Sequence, residues 1–304
     1  MSLNRLLLFV ALLAASACAR SEAECPSGEG VSVQVLGSGG PIADDGRASS
    51  AYLVWVDGVS KVLIDAGGGA FLRFGEARAS FRDLDFVGLS HFHTDHSADF
   101  PALLKSGNFS GRKRPLYVAG PDADGRFPGL EPWLDRMLGD ESGAYAYLAG
   151  FLDGTAGLPL LVSREVSGEQ ASVVYKSDRL SVEAMHVPHG IVPAVAFKVR
   201  VGAETLVFAS DQNGSKAAFV DFAKDASLLV MHLVIPEGAS GVARRLHAPP
   251  SVIGMIAEKA RARKLVLSHF MARSLADLEA NVEFVDSNYG GEIVFAEDLA
   301  CIPL

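Results

Sequence analysis

The chain has 304 residues, 49% hydrophobic and 21% charged, with a net charge of −9 at pH 7. That is the composition of a globular protein with a sizeable core, built as one large domain or two small ones. The acidic balance argues against a general nucleic-acid binder, because phosphate contacts need clustered Lys and Arg. The one compact basic run, Arg112-Lys113-Arg114, reads as a solvated loop ahead of a strand.

The N-terminus reads as an export signal. Arg5 supplies a positive start, Leu6 to Leu13 an apolar run, and Ala14-Ala15-Ser16-Ala17 the small residues before Cys18. The apolar stretch is too short to span a bilayer stably and ends in small residues. Residues 1–25 are therefore assigned to signal and linker, and 26–304 to the mature domain. Two cleavage readings compete. One cuts before Cys18 and attaches lipid to its sulfur, anchoring the protein to a membrane; the other cuts after Ala17 or Ala19. The expected location is the periplasm or the outer membrane. In an oxidising compartment Cys25 and Cys301 read as a disulfide, with two unpaired thiols as the alternative.

Strands are expected at Val31 to Leu36, Ala51 to Val56, Lys61 to Asp65, Asp85 to Ser90 and Pro115 to Ala119, with a hairpin turn at Asp57-Gly58. Gly37 to Pro41 reads as a plain turn rather than an anion cradle, and Ser97 to Leu104 as a helix. About 121–165 reads as a helical insert: Glu131 to Leu148 has helical spacing of its apolar residues, which form either core or a lid. Strands resume at Ser172 to Tyr175, Leu180 to Met185, Ala194 to Val201 and Thr205 to Ala209, then at Ser227 to Val234, Lys264 to Leu267 and Glu292 to Phe295. Helices are expected at Lys216 to Ala223, Pro250 to Ala262 and Leu275 to Asp286. The pattern predicts an α/β fold of two mixed β-sheets packed face to face with helices outside, an αββα sandwich.

Residues 90–97 read Ser-His-Phe-His-Thr-Asp-His-Ser. Strand alternation puts His91 and His93 on one side, where both can face one metal. Asp95 and His96 lie further round the loop, where they can face a second. Imidazole and carboxylate suit zinc, and also iron or manganese. Crowding these groups without a cation or water is costly.

The run His91-Phe92-His93-Thr94-Asp95-His96 resembles the H-x-H-x-D-H motif of the metallo-β-lactamase fold superfamily. Leu63 to Gly67 and Leu84 to Ser90 resemble the segments that precede that motif, and the likeness runs through most of residues 31 to 296. The resemblance implies three later ligands. His189, in Pro188-His189-Gly190, is taken as the first, as in the ribonuclease Z and arylsulfatase branch; His186 is its rival. Asp211, after a strand, is the second, with a helix N-cap as the alternative. His269, after another strand, is the third, with a buried structural histidine as the alternative. Site one is then His91, His93 and His189; site two is Asp95, His96 and His269; Asp211 is shared. Two divalent metals are implied, holding a water whose pKa falls toward roughly 7. His247 resembles the ribonuclease Z histidine that assists phosphodiester cleavage, in the role of proton donor, although Ala248-Pro249 departs from that pattern. Asp95 is counted with it as catalytic. Asp65 is implied to support the ligand loop. His232 reads as a core or supporting histidine.

Asp211 stands where lactamases with this first motif commonly carry cysteine, which points to the ribonuclease Z, arylsulfatase and phosphodiesterase-like branch. The implied function is an exported hydrolase in which hydroxide between two metals cleaves an ester-type bond of a small molecule: a phosphodiester, sulfate ester or carboxylic ester. Lactone or β-lactam hydrolysis is the alternative, and a non-catalytic, surface-anchored metal-binding module is the reading from another class. No nucleic-acid partner is expected, since the chain is acidic and lacks a basic arm.

Overall fold

A computed structural model describes Cys25 and residues 28–304. The predicted signal, including Cys18, lies outside the described residues. The first sheet contains β1 (Val31–Gly37), β2 (Ala51–Val56), β3 (Val59–Ile64), β4 (Phe86–Gly88), β5 (Leu116–Pro121) and β6 (Leu161–Val166). The second contains β7 (Ser172–Lys176), β8 (Leu180–His189), β9 (Val192–Val201), β10 (Glu204–Phe208), β11 (Leu228–His232), β12 (Lys264–Ser268) and β13 (Glu292–Phe295). The last strand, β14 (Cys301–Pro303), returns to the first sheet beside β1, so each sheet has seven strands.

Strand alternation explains the layering. On β2, Tyr52, Val54 and Val56 face the second sheet, while Ala51 and Leu53 join a separate apolar layer outside. Both faces of the strand are buried, hence its near-continuous apolar sequence. Asp57 and Gly58 turn β2 into β3 with φ of 50° and 72°. Both values are positive, as a two-residue primed turn demands.

Helices α1 (Ala70–Glu76), the one-turn α2 (Thr94–Ser97), α3 (Phe100–Asn108), α4 (Leu130–Leu138) and α5 (Gly150–Asp153) follow strands of the first sheet. Their buried residues, among them Phe74, Phe100, Leu104, Leu134 and Phe151, form that outer layer. The second half carries α6 (Ala218–Phe222), α7 (Gly241–Leu246), α8 (Pro250–Ala260), α9 (Ala272–Leu275) and α10 (Leu278–Asp286). The architecture is the expected αββα sandwich.

Three local expectations are corrected. The helix expected at 97–104 is two helices, because the chain breaks after α2 and restarts with Pro101 in the first turn of α3. The helical insert ends short of 165: Leu161–Val166 pairs parallel with β5 as an edge strand. Within it, Leu134, Met137 and Leu148 are core residues of the outer layer. Finally, Arg112 is not a solvated residue. It is 2% exposed, and its guanidinium donates only to backbone carbonyls among its hydrogen bonds: Phe81, Arg82, Leu84, Arg114 and Pro115.

Cys25 and the C-terminal segment are tied to the body. Cys25 and Cys301 form a disulfide across a sequence separation of 276. In the chain-entropy account, such a long closed loop contributes roughly 3–5 kcal/mol. Just before β14, Asp298 accepts hydrogen bonds from the Ser38 amide (3.1 Å), the Ser38 hydroxyl (2.8 Å) and the Ala48 amide (2.8 Å). The C-terminal segment therefore braces the loop between β1 and β2.

Candidate metal centre

Five predicted ligands sit at the end of a strand or in the turn after it, and Asp95 and His96 on the one-turn helix that follows β4. His91 and His93 follow β4, and His93 caps α2, which carries Asp95 and His96. His189 ends β8, Asp211 follows β10, and His269 follows β12. The chain bends abruptly at the exits of β3, β10 and β12: Asp65, Ser210 and His269 have φ of 61°, 60° and 55°. Left-handed backbone at residues other than glycine costs about 1–3 kcal/mol and collects at functional sites.

The structure brings all seven together. One donor atom each from His91, His93 and His189 lie within 4.8 Å of one another, and so do those of Asp95, His96 and His269. These are the two sets assigned from the sequence. Asp211 stands between them. Its Oδ2 is 3.6 Å from His189 Nε2 and 3.7 Å from His96 Nε2. His91 Nε2 lies 3.0 Å from His93 Nδ1, and His96 Nε2 lies 3.1 Å from His269 Nε2. Ligands in a tetrahedral zinc site stand roughly 3.3 Å apart for metal–nitrogen bonds near 2.0–2.1 Å. Buried nitrogens that face each other at this spacing, with His189 Nε2 lacking any hydrogen-bond partner, fit a cation held between them.

Supporting contacts fix the rings. Asp65 accepts from the Ser90 amide at 2.7 Å and the Ser90 hydroxyl at 2.8 Å, and its Oδ2 is 2.7 Å from His96 Nδ1. A carboxylate only accepts, so the His96 proton sits on Nδ1 and Nε2 is free for a metal. His189 Nδ1 likewise faces the Leu246 carbonyl at 2.9 Å. Gly40 explains the glycine-rich turn: a Cβ there would lie 2.8 Å from the His269 ring. The turn's amides are used within the fold: Ser38, Gly39 and Gly40 donate to Asp298, Ala48 and Phe270.

His186 does not join the cluster. It stands three residues from His189 on one strand and therefore points to the opposite face, where its Nε2 meets the Val166 carbonyl at 2.8 Å. His247 does reach the cluster, with Nδ1 3.8 Å from Asp211 Oδ2 and no hydrogen-bond partner of its own. His189, Asp211 and His247 form a further trio able to hold a metal. His232, read only as a core or supporting histidine, places Nδ1 2.6 Å from Asp211 Oδ1. The residue missed altogether is Tyr52, an ordinary aromatic in an apolar strand, whose hydroxyl lies 3.2 Å from His232 Nε2.

Proton affinities follow from burial and charge. Burial pushes His91 well below its ordinary value, His232 down to about 4 and His247 to about 3, against the pull of Asp211. Burial acts downward on His96 too, but Asp65 and Asp211 outweigh it and raise His96 well above that value. The metal-stripped protein should accordingly be most stable near neutral pH. As pH falls below about 6.5, the unfolded chain protonates histidines that the fold keeps neutral, at about 1.4 kcal/mol per pH unit for each. As pH rises above about 6.5 and through the raised value, the stabilisation from protonated His96 is lost. Urea unfolding of chelator-treated protein between pH 4 and 9 checks this; a flat profile would refute it.

The model of the metallo-β-lactamase superfamily matches residues 44–209, more than half of the chain. The chain belongs to the metallo-β-lactamase superfamily. It is 25% identical over 299 residues to ribonuclease Z of Methanosarcina acetivorans, covering 88% of this chain and 96% of that protein. Ribonuclease Z of Mycobacterium marinum is 26% identical over 283 residues, covering 88% and 97%. Among solved structures, human tRNase Z, short form, superposes with a TM-score of 0.69 at 21% identity, covering 90% of this chain and all of that one. The metallo-β-lactamase fold protein YhfI from Bacillus subtilis gives a TM-score of 0.69 at 20% identity, covering 89% and 98%. These structures share the fold. The chain is thus a metallo-β-lactamase fold hydrolase with histidine and aspartate groups able to hold metal. One expectation is overturned. Relatives spanning most of the chain are named as ribonucleases, which conflicts with a small-molecule substrate and the absence of a nucleic-acid partner. Overall charge misled here, because it reports the whole surface and not the site that meets the substrate.

Proposed function

We propose that this protein is a metal-dependent phosphodiesterase that cleaves RNA, with His91, His93 and His189 holding one divalent metal, Asp95, His96 and His269 a second, and Asp211 both. The donor set favours zinc. The observation that carries the reading is the position of Asp211 Oδ2, which faces a histidine of each set at 3.6 and 3.7 Å. When bound, the metals would supply Lewis acidity and an activated water. The chain's own residues do the rest. Asp65 and the Leu246 carbonyl orient ligand rings. Asp95, held to about 2 because His269 and His96 outweigh the effect of burial, stays ionised at neutral pH. His247 stands at the edge of the cluster and rests unprotonated. The charge of a phosphate bound beside it would raise its proton affinity, as Asp211 already does, and let it deliver a proton to the leaving oxygen.

Export is part of the proposal. Arg5, the apolar run Leu6 to Leu13 and the small residues after it support an N-terminal signal. The Cys25–Cys301 disulfide supports an oxidising destination.

The test is RNA cleavage by the zinc-loaded protein, assayed beside sulfate esters and lactones. RNA cleavage that chelation abolishes is expected. His189→Ala should lower it by about a thousandfold or more, while His186→Ala stays within a few-fold of wild type. Hydrolysis of sulfate esters or lactones with RNA left intact would sink the proposal.

A further inference from the structure

A chain of buried polar groups crosses between the two sheets and ends on Asp211. Tyr52, on β2 of the first sheet, is 1% exposed; its Oη lies 3.2 Å from His232 Nε2 and 2.8 Å from Ser268 Oγ. His232, at the end of β11, is 5% exposed and sets Nδ1 2.6 Å from Asp211 Oδ1. Hydroxyls and imidazoles are costly to bury unless each finds a partner. All of these do.

The geometry constrains the protons. Ionised Asp211 only accepts, so His232 Nδ1 carries the hydrogen and donates it to Oδ1. Nε2 of the same ring is then turned to the Tyr52 hydroxyl, which can both donate and accept and so also satisfies Ser268. Oδ1 is thereby fixed by a short hydrogen bond, and it also faces His269 Nε2 at 3.5 Å. The other oxygen, Oδ2, faces His189, His96 and His247 at 3.6, 3.7 and 3.8 Å.

We propose that His232 is a positioning residue, anchored on the opposite sheet by Tyr52, which holds Asp211 by Oδ1 and so fixes the orientation of its carboxylate within the cluster. This rests on the reading of Asp211 as a metal ligand. His232 would therefore act on the centre through the orientation it gives Asp211. The anchor belongs to the sheet that carries His91–His96, whereas Asp211 belongs to the other. The hydrogen-bond chain registers one half of the centre against the other.

The test uses the full-length protein, stripped of metal and titrated with zinc against a chromogenic chelator; the visible spectrum of the cobalt-loaded form is recorded in parallel. His232→Leu keeps the volume and removes the hydrogen bond. It is expected to remain folded, to bind its second zinc about 10–100-fold more weakly, and to show an altered cobalt spectrum. Its kcat should fall further than its KM rises. His232→Gln, which can still donate to Oδ1, should recover part of the affinity, and Tyr52→Phe should show a smaller loss in the same direction. Asp211→Asn separates the two levels of the argument. If it keeps both metals at wild-type affinity, the reading of Asp211 as a ligand fails. If it loses metal while His232→Leu and Tyr52→Phe keep wild-type affinity and spectrum, the positioning role alone is overturned. A normal Tyr52→Phe beside a defective His232→Leu overturns only the anchoring role. Should His232→Leu not fold, His232→Met, which likewise removes the hydrogen bond to Oδ1, decides by the same two readouts.

Discussion

Asp211→Ala is expected to lower turnover by about ten-thousand-fold or more and to leave at most one metal per chain. Two effects combine. Asp211 Oδ2 is the carboxylate oxygen that faces His189 of one histidine set and His96 of the other, so its loss removes a ligand from both positions. The substitution also removes a negative charge from a site where burial leaves water little role in screening. Two cations facing mostly neutral imidazoles would then repel each other with less compensation. Metal analysis after gel filtration, with single-turnover kinetics, measures both effects. A variant retaining two metals and a tenth of wild-type turnover would remove Asp211 from the centre. The zinc-free protein should also be destabilised, because Asp211 accepts from buried His232 and supports protonated His96, and alanine leaves both short of a partner.

The second large effect concerns stability rather than chemistry. Arg112→Met is expected to destabilise the fold by about 3–5 kcal/mol. The Arg112 guanidinium caps carbonyls from the 81–84 segment and from the 114–115 approach to β5, with the Phe81 ring 6.0 Å away. Burial lowers its pKa to about 10, so it is still charged at neutral pH. Methionine fills the space and removes that donor from all of them; only the Arg82 carbonyl keeps another side-chain donor, from Arg114. Lysine keeps the charge but offers a compact ammonium where a planar fork is needed, and should recover only part of the loss. Denaturant titration checks both variants. A change below about 1 kcal/mol for Arg112→Met would show that the carbonyls find water instead. Metal content of the folded fraction should stay normal, since Arg112 is not among the groups at the centre.

The site was legible where its information is local. His91, His93, Asp95 and His96 sit on one short segment, and spacing alone groups them. Asp211 and His269 were legible only through the family resemblance, which implies an aspartate and a histidine after later strands. His186 and His189 differ by strand parity, which a reading of the full ten-residue β8 would have decided. Tyr52 carried no signal, because its role depends on which residue of the facing sheet it meets. Arg112 failed for a related reason: a charge run advertises solvent, and only the packed structure reveals carbonyls converging on one guanidinium. The three-residue β14 and the edge strand β6 were too short or too polar to stand out, and only their partners define them. The RNA question failed differently, since net charge cannot say what a handful of side chains around a reactive centre will accept.

The bracing of the β1–β2 loop by Asp298 has a consequence for how this molecule can be handled and how it can diverge. Ends of domains ordinarily absorb trimming, tags and fusions without penalty. Here the final residues hold the turn that presses Gly40 against His269. Shortening the tail would loosen an imidazole far away in sequence. Variation is better tolerated between β5 and β6, on the outer helical layer, where added length can change what the surface meets while the reactive centre keeps its foundation.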